Sequence, residues 1–576
     1  MSAYNISYFN PALQQLVIWP DNQVYYAVLS IFGIMGALVL SRAMSTKSNI
    51  SALAGPAPSS MVWGSAPEMF DAETGLEFQD QLMNAYGSAC RVKGPFGANE
   101  LWISDPRAFQ EILIKGYDDF IEPHWFTTWL KLVFGPVVAT VYGHQHKVQR
   151  KFSTLAIFAT LVENVKAEVQ ADGDNDKVVD IFKWVHLVAL EIIGQAGIGH
   201  SFGILEGNVP DYLDASRDMF PLMMEMWYLL PFITFLSRLG PAFFRRIVVE
   251  LTPHHPVQRM KSVVDTMHET AVEIMKRKRR ALESGTLDSE VAAGKDIMTA
   301  LLRQNLVVAP QDQMTDEEVL AQVKYATDVS FVDKDYMLTF SFDSGLTFAG
   351  HDTTSSAISR TISLLAEHQE VQDKLRDEIR QAYHLYGKNL DYDQLNSLSC
   401  LDAVCRESLR LYLPGTFIDR VATKDWNLPL QYPVRSKDGR TVITNIHVAK
   451  GTTLHLSLQA ANKDERTWGE DAGEFKPDRW LTPLPTSVTN SRMPSIYSST
   501  MTFSGGPRAC PGVKFSQLEM KIVLASLVSS FKFELSKDTI KWKAGGIVKP
   551  YAQYSDGTTS HDPMMPIKVT VLGGAE

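Results

Sequence analysis

One stretch of this sequence limits its fold more than any other. Val24 to Leu40 reads VYYAVLSIFGIMGALVL, an almost unbroken apolar run of 17 residues. A helix needs roughly 17–25 such residues to cross a bilayer. Ser30, Gly33 and Gly36 interrupt the run, and membrane helices tolerate them. No lysine or arginine precedes it, whereas Arg42 and Lys47 follow at once. A cleaved signal peptide opens on a basic segment, which is missing here. The run therefore predicts one transmembrane anchor over 24–41. Its flanking charge puts residues 1–23 in the lumen and the chain after Arg42 in the cytosol. Asn5-Ile6-Ser7 is then a luminal glycosylation sequon. Pro56, Pro58 and Pro67 stand among Ser, Ala and Gly in 42–69, which reads as a stiff linker. No later stretch matches the anchor, so residues 70–576 must bury their apolar surface in a core of their own. Leu222–Leu236 is rich in Met and aromatics but broken by Glu225 and Pro231. It reads as a segment that packs or dips into the membrane interface.

Hydrophobic residues make up 45% of the 576, enough for a deep core and too many for a disordered chain. Four cysteines, Cys90, Cys400, Cys405 and Cys510, are too few for a disulfide framework and include no CxxC pair. A net charge of −10 argues against a nucleic-acid partner. Apolar residues recur every three to four positions over Asn164–Val169, Val263–Met275, Met337–Ala366 and Val371–Tyr383. Residues 90–104 read as two short strands around a Gly/Pro turn, and weaker strand signals run from about 417 to 457. Without strand–helix alternation a dinucleotide-binding fold is not supported. The fold class is mainly α with minor β. The basic run Lys276–Arg280 reads as a solvated helix end.

Residues 502–512, TFSGGPRACPG, carry the chemistry. Gly505, Gly506 and Pro507 make the backbone turn tightly, and Gly512 permits another group to approach the cysteine. Pro511 is placed to start the helix VKFSQLEMKIVLASLVSSF, with Cys510 near its positive end. That position favours a thiolate. One thiolate in such a loop suits a haem iron. The plain alternative is a buried structural cysteine. A nucleophilic cysteine would want a nearby His and acid, which the local sequence does not offer.

The string FSGGPRACPG resembles the haem-binding signature of the cytochrome P-450 haem-thiolate family, through Phe503, Gly506, Arg508, Cys510 and Gly512. AGHDTT at 349–354, ESLR with Glu407 and Arg410, and FKPDRW at 475–480 are similar to three further landmarks of that family, in the same order. The resemblance covers the chain from about residue 70 onwards and implies a haem-binding catalytic domain there, with haem b on Cys510. Glu407 and Arg410, at i and i+3, share a helix face, and with Arg479 the resemblance makes them a buried structural network. His146, Arg150, Arg420 and Arg508 resemble the donors to the haem propionates, a task that suits guanidinium forks. Small Ala349 and Gly350 let a helix pass close to a flat ligand. Thr353 can bond back to a carbonyl and open a local groove, and Asp352 supplies a proton donor linked to solvent. The resemblance assigns this pair to proton delivery onto dioxygen. By family position alone, Phe340, Ser344, Ala349, Thr416 and Phe417 are pocket candidates, with core packing as the plain alternative.

The family commonly shows His-Arg-Asp before FKPDRW. This chain has Asn462-Lys463-Asp464, which reads as an altered loop. Segments 435–445 and 551–565 look longer than a compact member needs. The implied activity is a monooxygenase that uses O2, with electrons from NADPH through a separate NADPH-cytochrome P-450 reductase. That reductase would dock near Lys147, Lys151 and Lys514. The substrate is a lipophilic small molecule, terpenoid, steroid-like or aromatic, in secondary metabolism, and the location is the endoplasmic reticulum membrane. The rival is a haem-thiolate isomerase or dehydratase that needs neither O2 nor reductase. Such members often lose the acid–alcohol pair, so Asp352 and Thr353 count against it, as they do against a non-enzymatic haem sensor.

Overall fold

A computed structural model describes residues 48–134, 161–170, 175–198, 200–204, 211–238, 240–285 and 342–572. The expected anchor and the site candidates His146, Arg150 and Phe340 lie outside these residues, as do Lys147 and Lys151. Among the described residues no helix is long and apolar enough to cross a membrane.

The main helices are α1 (Gly75–Tyr86), α2 (His124–Phe134), α3 (Leu161–Gln170), α4 (Ile181–Ile192), α5 (Asp211–Glu225), α6 (Leu230–Leu236) and α7 (Ala242–Leu251). They continue with α8 (His255–Ser284), α9 (Phe342–Glu367), α10 (Gln369–Tyr386), α11 (Ser399–Leu411), α12 (Leu458–Lys463) and α13 (Val513–Ser530). The strands are β1 (Ala89–Lys93), β2 (Asn99–Ile103), β3 (Phe120–Ile121), β4 (Asp176–Asp180), β5 (Phe417–Ala422) and β6 (Trp426–Arg435). After them come β7 (Val442–Val448), β8 (Thr453–Ser457), β9 (Phe531–Leu535), β10 (Thr539–Gly545), β11 (Ile547–Gln553) and β12 (Pro566–Val571). Helices dominate and sheet is minor, consistent with the fold class read from the sequence.

The largest core lies where α4, α9, α11 and α13 meet. Val185, Val188 and Ile192 pack there with Ile358, Ile362, Leu365, Leu401, Val404, Leu524 and Val528. Helix α9 is buried on nearly every side from His351 to Ala366, so its Ser and Thr residues cannot face water. Thr361 meets that demand by donating to Ala357 O at 2.8 Å and accepting from Ser408 Oγ of α11 at 2.7 Å. A second core joins α2, α5 and α8 through Trp129, Met219, Met223, Val263 and Met267.

The five-stranded sheet has the order β1-β2-β8-β5-β3, with β2 and β8 parallel. In the sheet β4-β12-β9 all pairs are antiparallel. Strands β6–β7 and β10–β11 form hairpins. The unassigned segment 435–445 contains the turn between β6 and β7, and 551–565 runs from the end of β11 to the start of β12.

The structure changes one reading near the N-terminus. The expected linker over 42–69 is packed in part, around Ile50 and Leu53. Ile50 and Leu53 are fully buried, Leu53 bridges Ser436, and Arg91 N donates to Ala54 O at 2.9 Å. Two apolar side chains three apart enter the sheet-side core, and hydrogen bonds linking Ser48, Asn49 and Ala52 to β7 and its turn hold the segment beside them.

Candidate active site

The Cys510 turn is fixed from three directions. Cys510 N donates to Phe503 O at 2.9 Å, which closes the turn. Thr502 Oγ1 donates to Leu409 O of α11 at 2.8 Å, and Asn462 Oδ1 accepts from Met501 N at 2.6 Å. Gly506 has φ +72°, and a Cβ there would stand 2.1 Å from Leu113 O. A Cβ at Gly505 would stand 1.6 Å from Pro494 O, so neither position admits a side chain without moving backbone. Phe503 packs edge-on against Tyr497, ring centroids 5.2 Å apart. Helix α13 starts at Val513 with Gly512 as its cap, so Pro511 lies just outside the helix instead of opening it. Cys510 still directly precedes the unpaired N–H groups of the first turn. A Cβ on Gly512 would lie 3.8 Å from Cys510 Sγ. The other three cysteines are buried. Burial pushes the thiol of Cys400 up to about 11 and that of Cys405 up to about 12, and raises that of Cys90 further, so all three are inert.

Behind this turn, Glu407 and Arg410 of α11 are fully buried and pair bidentately, at 2.9 and 2.8 Å. Arg479 Nε adds a contact to Glu407 Oε1 at 3.4 Å and Lys476 N one at 3.1 Å. Trp480 Nε1 donates to Glu407 Oε2 at 2.9 Å, a role that the FKPDRW motif did not reveal. Arg410 Nη1 also donates to the carbonyls of Asn462 and Ala472. Asn462 thus belongs to helix α12, not to a loop, and ties that helix to both the network and the Cys510 turn.

Arg420 of β5 and Arg508 of the turn converge. Arg420 Nη2 lies 3.4 Å from Glu122 Oε1, and Arg508 Nη1 lies 3.2 Å from Glu122 Oε2. All three side chains are nearly buried. Glu122 went unnoticed in the sequence because nothing local marks it. Next along β5, Asp419 bonds His455 Nδ1 at 2.7 Å, and Glu100 reaches its Nε2 at 3.0 Å. Burial works against a charged His455, but the two carboxylates hold it protonated and push it up to about 10.

On α9, Thr353 Oγ1 donates to Ala349 O at 2.6 Å on a face that is open, as its type and position implied. A Cβ on Gly350 would stand 3.1 Å from Ile193 Cδ1, so glycine lets α9 approach that helix end. Asp352 departs from its expected surroundings. It is 1% exposed and its Oδ1 lies 2.8 Å from Nζ of Lys549, itself buried on β11. A solvent link is replaced by an ion pair, because the β10–β11 hairpin covers that side of α9. Ser356 Oγ, which donates to Val548 O, seals the same seam. His351 is also buried, its ring centroid 3.8 Å from that of His186. Burial, then Lys549, pulls His351 down to about 3, so it is neutral.

The pocket candidates divide. Ala349 shares the open face with Thr353. Ser344 sits in the first turn of α9. Thr416 is buried, and its carbonyl accepts from Gln459 N at 3.0 Å. Phe417 packs against Trp102, centroids 5.4 Å apart, in the sheet-side core, so core packing accounts for it. Lys514 is exposed on the first turn of α13.

One thiol on a glycine-walled turn, two buried guanidinium forks and a small-residue helix face fit a haem. The cytochrome P450 family model matches residues 55–327 and 344–554. The chain belongs to the cytochrome P450 family. It is 38% identical to Cytochrome P450 monooxygenase 212 of Postia placenta over 536 residues, 89% of this chain and 93% of the relative. It is 36% identical to a ganoderic acid synthetase of Ganoderma lucidum, over 96% of this chain and 100% of that one. With a P450 monooxygenase of Hericium erinaceus the identity is 33%, over 91% and 94% of the two chains. Members of this family are oxidoreductases. They hold haem through a cysteine thiolate and use O2 with NAD(P)H electrons delivered by a reductase. These relatives are all fungal, and two of the three are named as P450 monooxygenases.

Proposed function

We propose that Cys510 would ligate the haem iron of this P450 and that the enzyme hydroxylates or further oxidises a lipophilic metabolite. One observation carries the assignment. Cys510 alone among the four cysteines escapes deep burial, and it does so in a turn locked by Phe503, Asn462 and Thr502. When bound, the haem would supply oxygen activation, with electron density lent by the thiolate. Arg420 and Arg508, with His146 and Arg150, would hold its propionates by charge-assisted hydrogen bonds. The Glu407–Arg410–Arg479 network fixes α11 against the Cys510 turn from behind. Thr353 holds a hydroxyl on the open face of α9, and Asp352 orders the helix beside it. Phe503 and Gly512 shape the cysteine side.

The membrane is the proposed location, with the catalytic domain cytosolic. The apolar run over 24–41 supports an anchor, and a second face supports contact with lipid. On α6 and α7, Phe235, Leu236, Phe243, Phe244, Ile247 and Leu251 are exposed, with Arg245 and Arg246 among them. Met61, 95% exposed, extends this face, since the neighbouring Trp63 packs 5.3 Å from Trp227. An apolar face beside arginines suits a bilayer surface. It also argues for a lipophilic substrate, with a terpenoid, steroid-like or aromatic skeleton. The name of the Ganoderma relative supports a small-molecule metabolite. Electrons come from NADPH-cytochrome P450 reductase, docking over the exposed Lys514. The rival isomerase or dehydratase is disfavoured by the hydroxyl of Thr353 on the open face.

The test is Cys510→Ala in full-length protein. The reduced carbonyl complex of the wild type absorbs where thiolate-ligated haem does, and the variant loses that band. A variant that kept it would overturn the assignment. Product formation that continued without NADPH and reductase would favour the rival.

A further inference from the structure

Three neighbouring strands of the five-stranded sheet each give one side chain to a single charged rung. His455 stands on β8, the central strand, with Glu100 on β2 to one side and Asp419 on β5 to the other. Asp419 is the register partner of His455, and its Oδ1 lies 2.7 Å from the ring Nδ1. Glu100 Oε2 lies 3.0 Å from Nε2. All three side chains are nearly buried. An ionised carboxylate only accepts, so both ring nitrogens must carry hydrogen. A neutral imidazole has one N–H and would turn a lone pair towards one carboxylate. The geometry therefore calls for the imidazolium. Burial opposes that charge, and the two carboxylates restore it. The rings of Trp102 and Phe417 stand 6.2 and 6.1 Å from the imidazole, and Cys90, on the same sheet face, keeps its proton. The segments over this face, Ala66–Met69 and α1, carry Glu68, Glu77 and Asp80. None of these three bonds the ring among the described residues. Gly94 makes room for the rung, since a Cβ there would stand 2.1 Å from Glu100 Oε1.

The next residue along β5 is Arg420. Consecutive strand residues point to opposite faces. Asp419 therefore serves the rung, while Arg420 lies with Glu122 and Arg508 on the other side. Arg420 Nη1 also donates to Asp419 O at 2.7 Å. Asp419 is thus held by its side chain to His455 and supports the Arg420 fork with its carbonyl. We propose that His455, as an imidazolium, is a positioning residue for Arg420 and so for the haem propionate that Arg420 would hold. The inference rests on the assignment of Arg420 to a propionate. Loss of the ring proton leaves two carboxylates and one N–H. One carboxylate then repels the ring, the β8–β5 side of the rung opens, and the Asp419 carbonyl shifts beneath Arg420.

The experiment follows haem transfer from the full-length protein in detergent to excess apomyoglobin, read by absorbance and not by turnover. Wild-type release is flat across the ordinary histidine range, because the ring loses its proton only as pH climbs towards 10. His455→Gln leaves Glu100 and Asp419 without a cation. Its release near neutral pH should be roughly tenfold faster, the scale of one charge-assisted hydrogen bond. It should slow again at acid pH, where one carboxylate takes up a proton. Adding Asp419→Asn restores the net charge of the rung and should return release close to the wild-type rate. A His455→Gln rate equal to wild type, or a double variant no better than the single one, would overturn the proposal. Asp419→Ala cuts the rung on the Arg420 side and serves if His455→Gln fails to fold. A folded Asp419→Ala that holds haem as the wild type does would overturn it equally. In an Arg420→Ala background His455→Gln should add little, and additive effects would show that it does not act through Arg420. If Arg420→Ala alone released haem no faster than the wild type, the propionate assignment itself would fall.

Discussion

The core of this P450 holds two buried polar clusters built to opposite standards. Around Glu407 five donors converge, from Arg410, Arg479, Trp480 and the Lys476 backbone. Around α9 the accounts stay open. Neither ring nitrogen of His351 finds a well-aligned partner, and the Glu519 carboxyl has none either. Completely satisfied networks are rigid, whereas partly satisfied ones keep groups whose protonation can change. The contrast separates a cluster that fixes α11 behind the Cys510 turn from one that leaves buried titratable groups incompletely partnered.

The largest effect should follow from breaking the complete cluster. Glu407→Ala strands two buried guanidinium groups and should cost about 3–5 kcal/mol. The fraction of protein recovered with haem, and its melting temperature, would show it. Tolerance of this change would break the comparison outright. Lys549→Met attacks the other cluster and should cost less, about 1–3 kcal/mol, because a lone Asp352 can take up a proton. Asp352→Asn in the same background should recover part of the loss, measured as a double-mutant cycle of melting temperatures.

A third prediction concerns pH. His455 is raised from 6.5 to about 10 against burial by Asp419 and Glu100. Its ionic contribution is therefore complete below the ordinary histidine range and is lost as pH climbs towards 10. The melting-temperature gap between wild type and His455→Gln should be widest at mildly acid pH and narrow by pH 10. A constant gap would mean that the histidine acts by packing alone. The smallest effect is Trp480→Phe, which removes one of five donors to Glu407 and should cost about 1 kcal/mol with haem binding intact.

What the sequence revealed was local. Glu407 and Arg410 are one turn apart, and Phe503 to Gly512 are contiguous, so their spacing could be read directly. The partners that complete these sites come from far along the chain. Lys549, Glu122, His186 and Trp480 carry no local signal for their roles. Helical geometry correctly separated Thr353 from Asp352 by about 100°. It could not tell that β11 covers the Asp352 side, so the expected solvent path became an ion pair. Composition made 42–69 a tether, because proline, serine and alanine hide the two aliphatic side chains that dock it.

Strand β12 lies between β4 and β9, with registers to both. Strand β9 directly follows α13, and Met565 N, just before β12, donates to the Asp180 cap of α4 at 3.0 Å. During synthesis the chain is made at about 5–20 residues per second, and its earlier parts can fold first. Here they cannot finish until β12 has been made, because that strand joins the two ends of the helical core. Closure of the haem-bearing half must therefore wait for residues 566–571. A stop before Pro566 should yield a chain that never encloses its cofactor.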